Sequence, residues 1–430
     1  MATYPMQAIG IHFIPSSKPT IMAHFKFAKH FAMLYTCGML LSLATAACND
    51  DDTPAPPPST PTENKALLLT DEKKLAMVHS LVDLEGNKGR IYEMTYDVDY
   101  KLDEALQFEI DGTATLKQFV AQYLLDVSPS ARNLSLRFDA GCSVFACPDK
   151  STGHYLMGRN FDFNHLDPDT KERIMIPAIV VHTAPAGGKK SVSFVDGQFI
   201  DYKSGFYTDG TSDLSMLMAL PYLLLDGINE DGFAISVLKL DGKPTWQQEA
   251  GKKTIFTTVA MRLLLDRAGT VKEALEMLKA YNMSMDKDPK ASYHFFMADA
   301  TGDYAIVEYT NPDLSCHPDR MEVLTGTDTL RCLTNFYVSP TMANTDHGFN
   351  KSSHGMERYR IVRENLLQYA YNLTAAQGMG VLGKVAQGPE DSYMSTGFTQ
   401  WSEIYNLSKK RVTMSLLREF DKTFEFGISQ

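Results

Sequence analysis

The order of short strands and paired helices constrains the fold of this chain more than any other feature. Apolar and β-branched segments predict strands at IMIPAIVVHTA, SVSFVD, FAISVLKL, SYHFFMADA, DYAIVEYT, RMEVLTG and RCLTNFYV, and near 399–406, 411–416 and 423–427. Helix patterns near 255–267, 271–281, 355–371 and 375–386 interrupt the strands in two pairs. This order predicts an α+β fold, a four-layer αββα sandwich in which helices cover the outer faces of two antiparallel sheets.

A small and mostly helical segment, residues 66–141, is expected ahead of this sandwich. A first helix would place Val78 and Val82 on one face, and a second would span about 116–125. The alternating stretch NLSLRFDAGC, residues 133–142, then predicts a strand that ends in a Gly-Cys pair. The catalytic part of the chain would therefore be 142–430.

The N-terminal region has the layout of an export signal. Residues 1–48 contain a weakly basic start, a short apolar run and small residues directly before Cys48, with Met22 as the better start. The small residues resemble a bacterial lipoprotein processing site, and an ordinary signal peptide is the alternative. Residues 49–65 are rich in proline and aspartate, which predicts an extended tether. We expect an exported chain with a lipid anchor at Cys48 in a cell-envelope membrane, or a periplasmic chain if Cys48 is not lipidated.

Charge and cysteine usage exclude two classes of site. The formal net charge is −11 without a strongly basic stretch, which argues against nucleic-acid binding. The spacing of Cys142 and Cys147 is loose for zinc and no second matching pair exists, so we expect no metal. Pairing among Cys147, Cys316 and Cys332 stays open.

The segment GCSVFACPDKSTGHYLMGRNFDF, residues 141–163, carries the chemistry. A thiol is a weak nucleophile until a base removes its proton. The nearest histidines, His154 and His165, lack a familiar cysteine-protease context. Cleavage of the Gly141–Cys142 bond would instead expose an α-amine with a pKa of roughly 7.7–8.0, which can accept the thiol proton.

Arg159 and Asp162 complete this hypothesis. The turn at PDKSTG predicts a hairpin, which returns GRNFDF alongside the strand that starts at Cys142. A guanidinium beside the thiol would favour the thiolate, and a carboxylate beside the amine would orient it. A surface Arg–Asp pair in a turn is the alternative, but the nearby Gly-Cys pair favours the catalytic interpretation.

Cys142 and GHYLMGRNFDF resemble the N-terminal-nucleophile (Ntn) amidases of the choloylglycine hydrolase family. That group includes bile salt hydrolases, penicillin V acylases, acid ceramidase and the acylethanolamine-hydrolysing acid amidase. The resemblance runs through roughly 134–428 in the same order. The segments that carry it are DGINEDGFAIS (226–236), SYHFFMADATGDYAIVEYT (292–310), CLTNF (332–336), ERYRIV (357–362) and TQWSEIYNL (399–407).

The resemblance implies roles for individual residues. Cys142 would be the nucleophile and, after processing, the base, with Arg159 and Asp162 tuning its thiol and amine. Asn335 would donate to the oxyanion of the tetrahedral intermediate. Arg358 corresponds to the family's second arginine. The second oxyanion donor would be the backbone N–H of Lys239, where relatives carry Asn or Tyr.

The implied activity is hydrolysis of a linear carbon–nitrogen amide through a thioester on Cys142, without a cofactor. The partner would be a small N-acyl amide substrate, of the bile-salt-conjugate or penicillin V type. As in acid ceramidase, the residues ahead of Cys142 would stay attached as a second chain after self-cleavage. Whether the protein forms homo-oligomers stays an open question at this point. Two alternatives remain, a peptidase or lactone/lactam hydrolase on the same fold and a catalytically inactive lipid-anchored binding protein.

Overall fold

Two β-sheets packed face to face form the centre of the computed structural model. The model describes residues 64–127, 140–167, 169–285, 292–311, 313, 318–388 and 397–428. Residues 1–63, including Cys48 and all but the last two residues of the proposed tether, lie outside the described residues, as do Cys316 and most of the strand predicted over 133–142.

Apart from 253–256 and 281–284, which were not predicted as strands, the strands of the described residues lie close to the predicted positions in the catalytic part. Their bounds are β1 (Val82–Asp83), β2 (Ile91–Tyr96), β3 (Ala140–Pro148), β4 (Tyr155–Phe163), β5 (Ala178–Thr183), β6 (Ser191–Asp196), β7 (Asp226–Asn229), β8 (Ala234–Leu240), β9 (Lys253–Phe256), β10 (Tyr281–Ser284), β11 (Ser292–Ala298), β12 (Tyr304–Thr310), β13 (Arg320–Thr325), β14 (Cys332–Leu333), β15 (Thr399–Asn406), β16 (Arg411–Leu416) and β17 (Phe424–Gly427).

In the described part of the chain, the larger sheet has the order β1-β2-β5-β6-β7-β8-β11-β12-β13 and the smaller one β14-β3-β4-β15-β16-β17. Within both sheets neighbouring strands are antiparallel, except that β2 and β5 run parallel. Strands β9 and β10 form a separate parallel pair. The predicted pair of antiparallel sheets is therefore confirmed.

Helices cover the outer faces. They are α1 (Glu72–Val78), α2 (Leu102–Phe108), α3 (Thr113–Phe119), α4 (Thr257–Arg267), α5 (Val271–Leu278), α6 (Met356–Gln368) and α7 (Ala375–Val385). Asn229 on β7 donates to the carbonyl oxygens of Leu265 and Ala268, which fixes the end of α4 on the larger sheet. Asn160 on β4 donates to Leu382 of α7 at 2.9 Å, so α7 lies on the smaller sheet. The order of layers is the predicted αββα.

The alternation of side chains along β3 divides its residues between two cores. Cys142 and Val144 belong to the core between the sheets, whereas Phe145 and Cys147 pack with α6 and α7 on the outer face. A strand buried on both faces has this nearly continuous apolar pattern. Cys142 is thereby placed between the sheets, on the side of Arg159.

The leading segment differs from the prediction. Helix α1 ends at Val78, and Val82 belongs to β1 rather than to that helix. Strand β2 is an interior strand that pairs with β5 along its whole length, because its apolar side chains continue the core of the larger sheet. The second predicted helix is present as α3 followed by one π-helical turn, Val120–Leu124. The segment is thus built into the sandwich rather than folded beside it.

Among the described residues, no helix is both long enough and apolar enough to cross a membrane.

Candidate active site

The predicted hairpin of β3 and β4 assembles the site. Gly141 pairs with Asp162, Cys142 with Phe161 and Val144 with Arg159. The side chain of Cys142 is buried, with 1% exposed. The turn at PDKSTG therefore sets the register that places GRNFDF alongside the strand that starts at Cys142, as predicted.

Arg159 lies on the thiol side of Cys142, between the sheets. Its guanidinium donates to Asp226 at 3.1 Å and to the carbonyl oxygen of Val237 at 3.0 Å. Burial lowers the pKa of Arg159, but the Cys142 sulfur and the Asp226 carboxylate outweigh burial, so the pKa is raised overall. A permanent cation is thus held against the sulfur, and a cation there favours the thiolate.

A buried carboxyl network behind Arg159 was not predicted. Glu403 on β15 lies opposite Arg159 in the sheet, and the Tyr405 hydroxyl contacts Asp226 at 2.9 Å and Glu403 at 3.0 Å. One phenolic hydrogen cannot serve two carboxylates, so a second proton must lie on a carboxyl group. Burial raises the pKa of Glu403 and of Asp226, and the negative Asp226 raises the pKa of Glu403 further. We assign the proton to Glu403, which leaves one carboxylate facing one guanidinium.

This assignment predicts how stability depends on pH. When folding raises the pKa of a carboxyl group, the folded chain loses stability as pH rises from the ordinary pKa of that group, 4.5 for Glu403, to its pKa in the folded chain. Glu403→Gln lacks this titration. We expect the difference in free energy of unfolding between this variant and the wild type to increase, in favour of the variant, by up to about 1.4 kcal/mol per pH unit above the ordinary pKa of Glu403. Denaturant unfolding over a pH series measures this difference.

The control for this prediction is Glu364→Gln, which changes an exposed glutamate on α6. Its difference from the wild type should stay small at every pH. A Glu403→Gln difference that does not change with pH would show that Glu403 is ionised in the folded chain.

The backbone of Cys142 is bound from the other side by Asn335 and Arg358. The amide nitrogen of Cys142 donates to Asn335 Oδ1 at 2.8 Å, and Arg358 donates to the same oxygen at 2.7 Å. Arg358 also donates to the Cys142 carbonyl oxygen and to the Ser143 hydroxyl. Burial lowers the pKa of Arg358, although Asp162 and Cys142 oppose this. Two predicted residues thus meet at the backbone of Cys142.

Asp162 borders the bond that precedes Cys142. Its carboxylate accepts from Gln387 at 2.6 Å and from Thr399 at 2.5 Å, and Arg358 lies 3.8 Å away. Burial raises the pKa of Asp162, while Arg358 and the two hydrogen bonds oppose the rise. A Cβ atom at Gly141 would lie 2.3 Å from Gln387 Nε2 and 3.4 Å from Asp162 Oδ2. A larger residue before the cysteine would therefore displace the Gln387 amide that is bound to Asp162, which favours glycine at this position.

Lys239 lies beside Asn335, as the resemblance implied. The contact runs through backbone oxygen, since Asn335 Nδ2 donates to the Lys239 carbonyl at 2.8 Å. Donors at Oδ1 and an acceptor at Nδ2 fix the orientation of the Asn335 amide. An N–H of this amide is therefore already bound to the Lys239 carbonyl oxygen.

All six predicted residues from Gly141 to Arg358 that surround Cys142 are brought together, and Cys48 lies outside the described residues. Sequence reasoning missed the residues that support them, which are Asp226, Gln387, Thr399, Glu403 and Tyr405. A glutamate in the apolar strand TQWSEIYNL was the one available signal, because a charge at a buried strand position needs a partner.

In the described part of the chain, no group of three or more His, Cys, Asp or Glu side chains could hold a metal ion.

Comparisons with known proteins identify a family model that matches part of the chain. Residues 142–348 match the model of the linear amide C–N hydrolases, choloylglycine hydrolase family. Two variants of a conjugated bile acid hydrolase from Clostridium perfringens are similar in structure. The first has 15% sequence identity and a TM-score of 0.44, and the match covers 67% of this chain and 92% of that chain. The second has 16% sequence identity and a TM-score of 0.43, and the match covers 66% of this chain and 92% of that chain.

Penicillin V acylase from Agrobacterium tumefaciens has 16% identity and a TM-score of 0.42, with coverage of 64% of this chain and 83% of that one. A search of curated proteins found no match. The matched segment begins at Cys142 and includes Arg159, Asp162, Lys239 and Asn335. Through residues 142–348 the chain belongs to the linear amide C–N hydrolases of the choloylglycine hydrolase family.

Proposed function

We propose that this hydrolase is a cysteine amidase that cuts its own Gly141–Cys142 bond and then hydrolyses a small N-acyl amide through a thioester on Cys142. The observation that carries the proposal is the separate support of the two reactive atoms of one residue. Arg159 faces the sulfur, while Asn335, Arg358 and Asp162 surround the backbone nitrogen and the preceding glycine. A site that used only the thiol would not need Asn335, Arg358 and Asp162 around the backbone nitrogen and the glycine.

Self-cleavage would begin at the glycine. The Cys142 sulfur attacks the carbonyl carbon of Gly141, the C–N bond breaks, and the Cys142 nitrogen takes the proton of the thiol. Water then hydrolyses the Gly141 thioester to a carboxylate and releases the thiol. The absence of a Cβ at Gly141 supports this step, since the carbonyl can be approached while Gln387 and Asp162 pack against that residue.

Amide hydrolysis would use the new α-amine as the base. The amine accepts the thiol proton, sulfur attacks the substrate carbonyl, and the proton is passed to the leaving amine as the C–N bond breaks. Water, deprotonated by the same amine, then attacks the thioester and releases the acid. His165, the buried histidine nearest in sequence, is bound to Asp196 at 2.8 Å, which favours the amine over this imidazole as the base.

The oxyanion would be bound by Asn335 after processing. In the uncut chain Asn335 holds the Cys142 N–H, and its own N–H is bound to the Lys239 carbonyl. Cleavage frees the Cys142 nitrogen from the peptide, so the amide N–H of Asn335 can exchange the Lys239 oxygen for the oxyanion. The Lys239 backbone N–H is proposed as the second donor.

Processing would also open the site. Cys142, Arg159 and Arg358 are each at most 2% exposed in the uncut chain, so a substrate cannot reach them without rearrangement. We propose that the uncut chain is inactive. The leading piece would remain bound, since β2 is an interior strand and the Arg90 and Glu85 side chains form ion pairs with Glu419 and Lys422 near the C-terminus.

The location and partners are proposed from the sequence alone. The signal-like residues before Cys48 favour export and lipid attachment to a bacterial envelope membrane. The substrate proposed is a small N-acyl amide, of the kind that conjugated bile acids and penicillin V represent.

A substrate panel tests the proposed activity. Purified processed protein would be incubated with fatty-acyl amides, conjugated bile acids, penicillin V, dipeptides and lactones, and the released amine or acid would be measured. We expect turnover of at least one acyl amide and an acylated Cys142 peptide after rapid acid quenching. Turnover of dipeptides or lactones alone would replace the proposal with the alternative hydrolases. Tight binding without turnover would indicate a binding protein.

A further inference from the structure

A fully buried charged pair lies behind the segment that carries Asn335. His294 on β11 and Glu308 on β12 have no exposed surface, and His294 Nδ1 lies 3.1 Å from Glu308 Oε1. Neither belongs to the cluster around Cys142. Burial of two ionisable groups carries a large desolvation cost, so such a pair needs compensating hydrogen bonds.

Those hydrogen bonds all go to one short segment, residues 334–339. His294 Nε2 lies 2.8 Å from the carbonyl oxygen of Thr334, the residue before Asn335. Glu308 accepts from the backbone N–H of Val338 at 2.9 Å and of Ser339 at 2.9 Å. The pair therefore binds this segment on both sides of Asn335.

The hydrogen-bond partners define the charges of the pair. Both ring nitrogens of His294 face acceptors, a carboxylate and a carbonyl, so each nitrogen carries a hydrogen. Glu308 receives three N–H groups and, within the part of the chain that the structure describes, contacts no acceptor to which it could donate. An imidazolium and a carboxylate satisfy every contact, and charge-assisted bonds are stronger than neutral ones.

The segment needs this support because it leaves the sheet. Strand β14 pairs with β3 for only two residues, after which 334–339 have no ladder partners among the described residues. We infer that His294 and Glu308 are positioning residues that fix Asn335 against Cys142 and so set the rate of the chemical step. This inference rests on the proposed role of Asn335.

The first experiment tests whether His294 and Glu308 hold residues 334–339 in place. Its readout does not depend on catalysis. Hydrogen exchange of the Val338 and Ser339 amides would be followed in a Cys142→Ala chain, with and without Glu308→Gln. We expect exchange at both amides to rise at least about 10-fold in the double variant, because an amide side chain cannot accept both N–H groups and pair with His294. Unchanged protection would overturn the inference.

The second experiment measures kcat and KM. We expect Glu308→Gln to lower kcat by about 10²-fold with little change in KM, since a small displacement of a catalytic group has effects of that size. His294→Gln should act in the same direction and serves if Glu308→Gln does not fold. Asp266→Asn is the matched control, because it breaks the buried Arg262–Asp266 pair on α4; it should lower stability and leave kcat unchanged.

A double variant separates positioning from general structural damage. If Glu308 acts through Asn335, Glu308→Gln combined with Asn335→Ala should be no slower than Asn335→Ala alone. Additive losses, or a wild-type kcat in Glu308→Gln, would overturn the inference while leaving the proposed function intact. A wild-type kcat in Asn335→Ala would instead contradict the proposed function itself.

Discussion

Cys142→Ala is expected to abolish amide hydrolysis and to leave the chain in one piece. The substitution removes the atom proposed to attack both the Gly141 carbonyl and the substrate, while the fold loses only a small buried group. Removal of a catalytic nucleophile lowers kcat by about 10⁴-fold or more. Product formation and the size of the denatured chain measure the two effects.

Cys147→Ala is the matched control, because it changes a buried cysteine on the opposite face of the same strand. Burial raises the pKa of Cys147 to about 12, so its thiol is inert at neutral pH. This variant should process and turn over like the wild type. If Cys142→Ala still matured and hydrolysed amides, the cysteine mechanism would be wrong.

Asn335→Ala is expected to lower kcat by about 10²–10³-fold, which corresponds to about 2.7–4 kcal/mol of transition-state stabilisation. The substitution removes the proposed oxyanion donor and the acceptor that holds the Cys142 N–H. Because the acceptor is lost from a buried site, stability should also fall by about 1–3 kcal/mol. Steady-state kinetics and denaturant unfolding on processed protein measure the two quantities.

Two further variants separate these effects. Asn335→Asp keeps an acceptor for the Cys142 N–H and lacks the amide donor, so kcat should still fall. Asn229→Ala removes an equally buried asparagine that binds the end of α4 and the turn after β7, and it should lower stability alone. A kcat near the wild-type value in both Asn335 variants would exclude the oxyanion role.

Local patterns were sufficient for most of the catalytic part of the fold. The strand SVSFVD and the segment near 411–416 have the predicted bounds, and the paired helices begin within two residues of prediction. The alternation of apolar and polar residues, and helix-capping residues such as Thr374, determine structure within a few residues of the chain. The sequence alone therefore predicts them.

Features that depend on tertiary contacts were predicted less well. RCLTNFYV reads as one strand, but β14 ends at Leu333 because His294 and Glu308 bind the following backbone. Strand β2 looked like part of a helical segment because its pairing with β5 is long-range. The support of Arg159 by Asp226, Glu403 and Tyr405 joins three separated strands, and no local pattern encodes such a contact.

The proposed mechanism requires a free amine on Cys142 of the working enzyme. Intact-mass analysis and N-terminal sequencing of catalytically active protein test it most directly. We expect one polypeptide that begins at Cys142, together with a leading piece that ends at Gly141 and separates only under denaturing conditions. Full activity in a single chain that is unbroken between Gly141 and Cys142 would contradict the account.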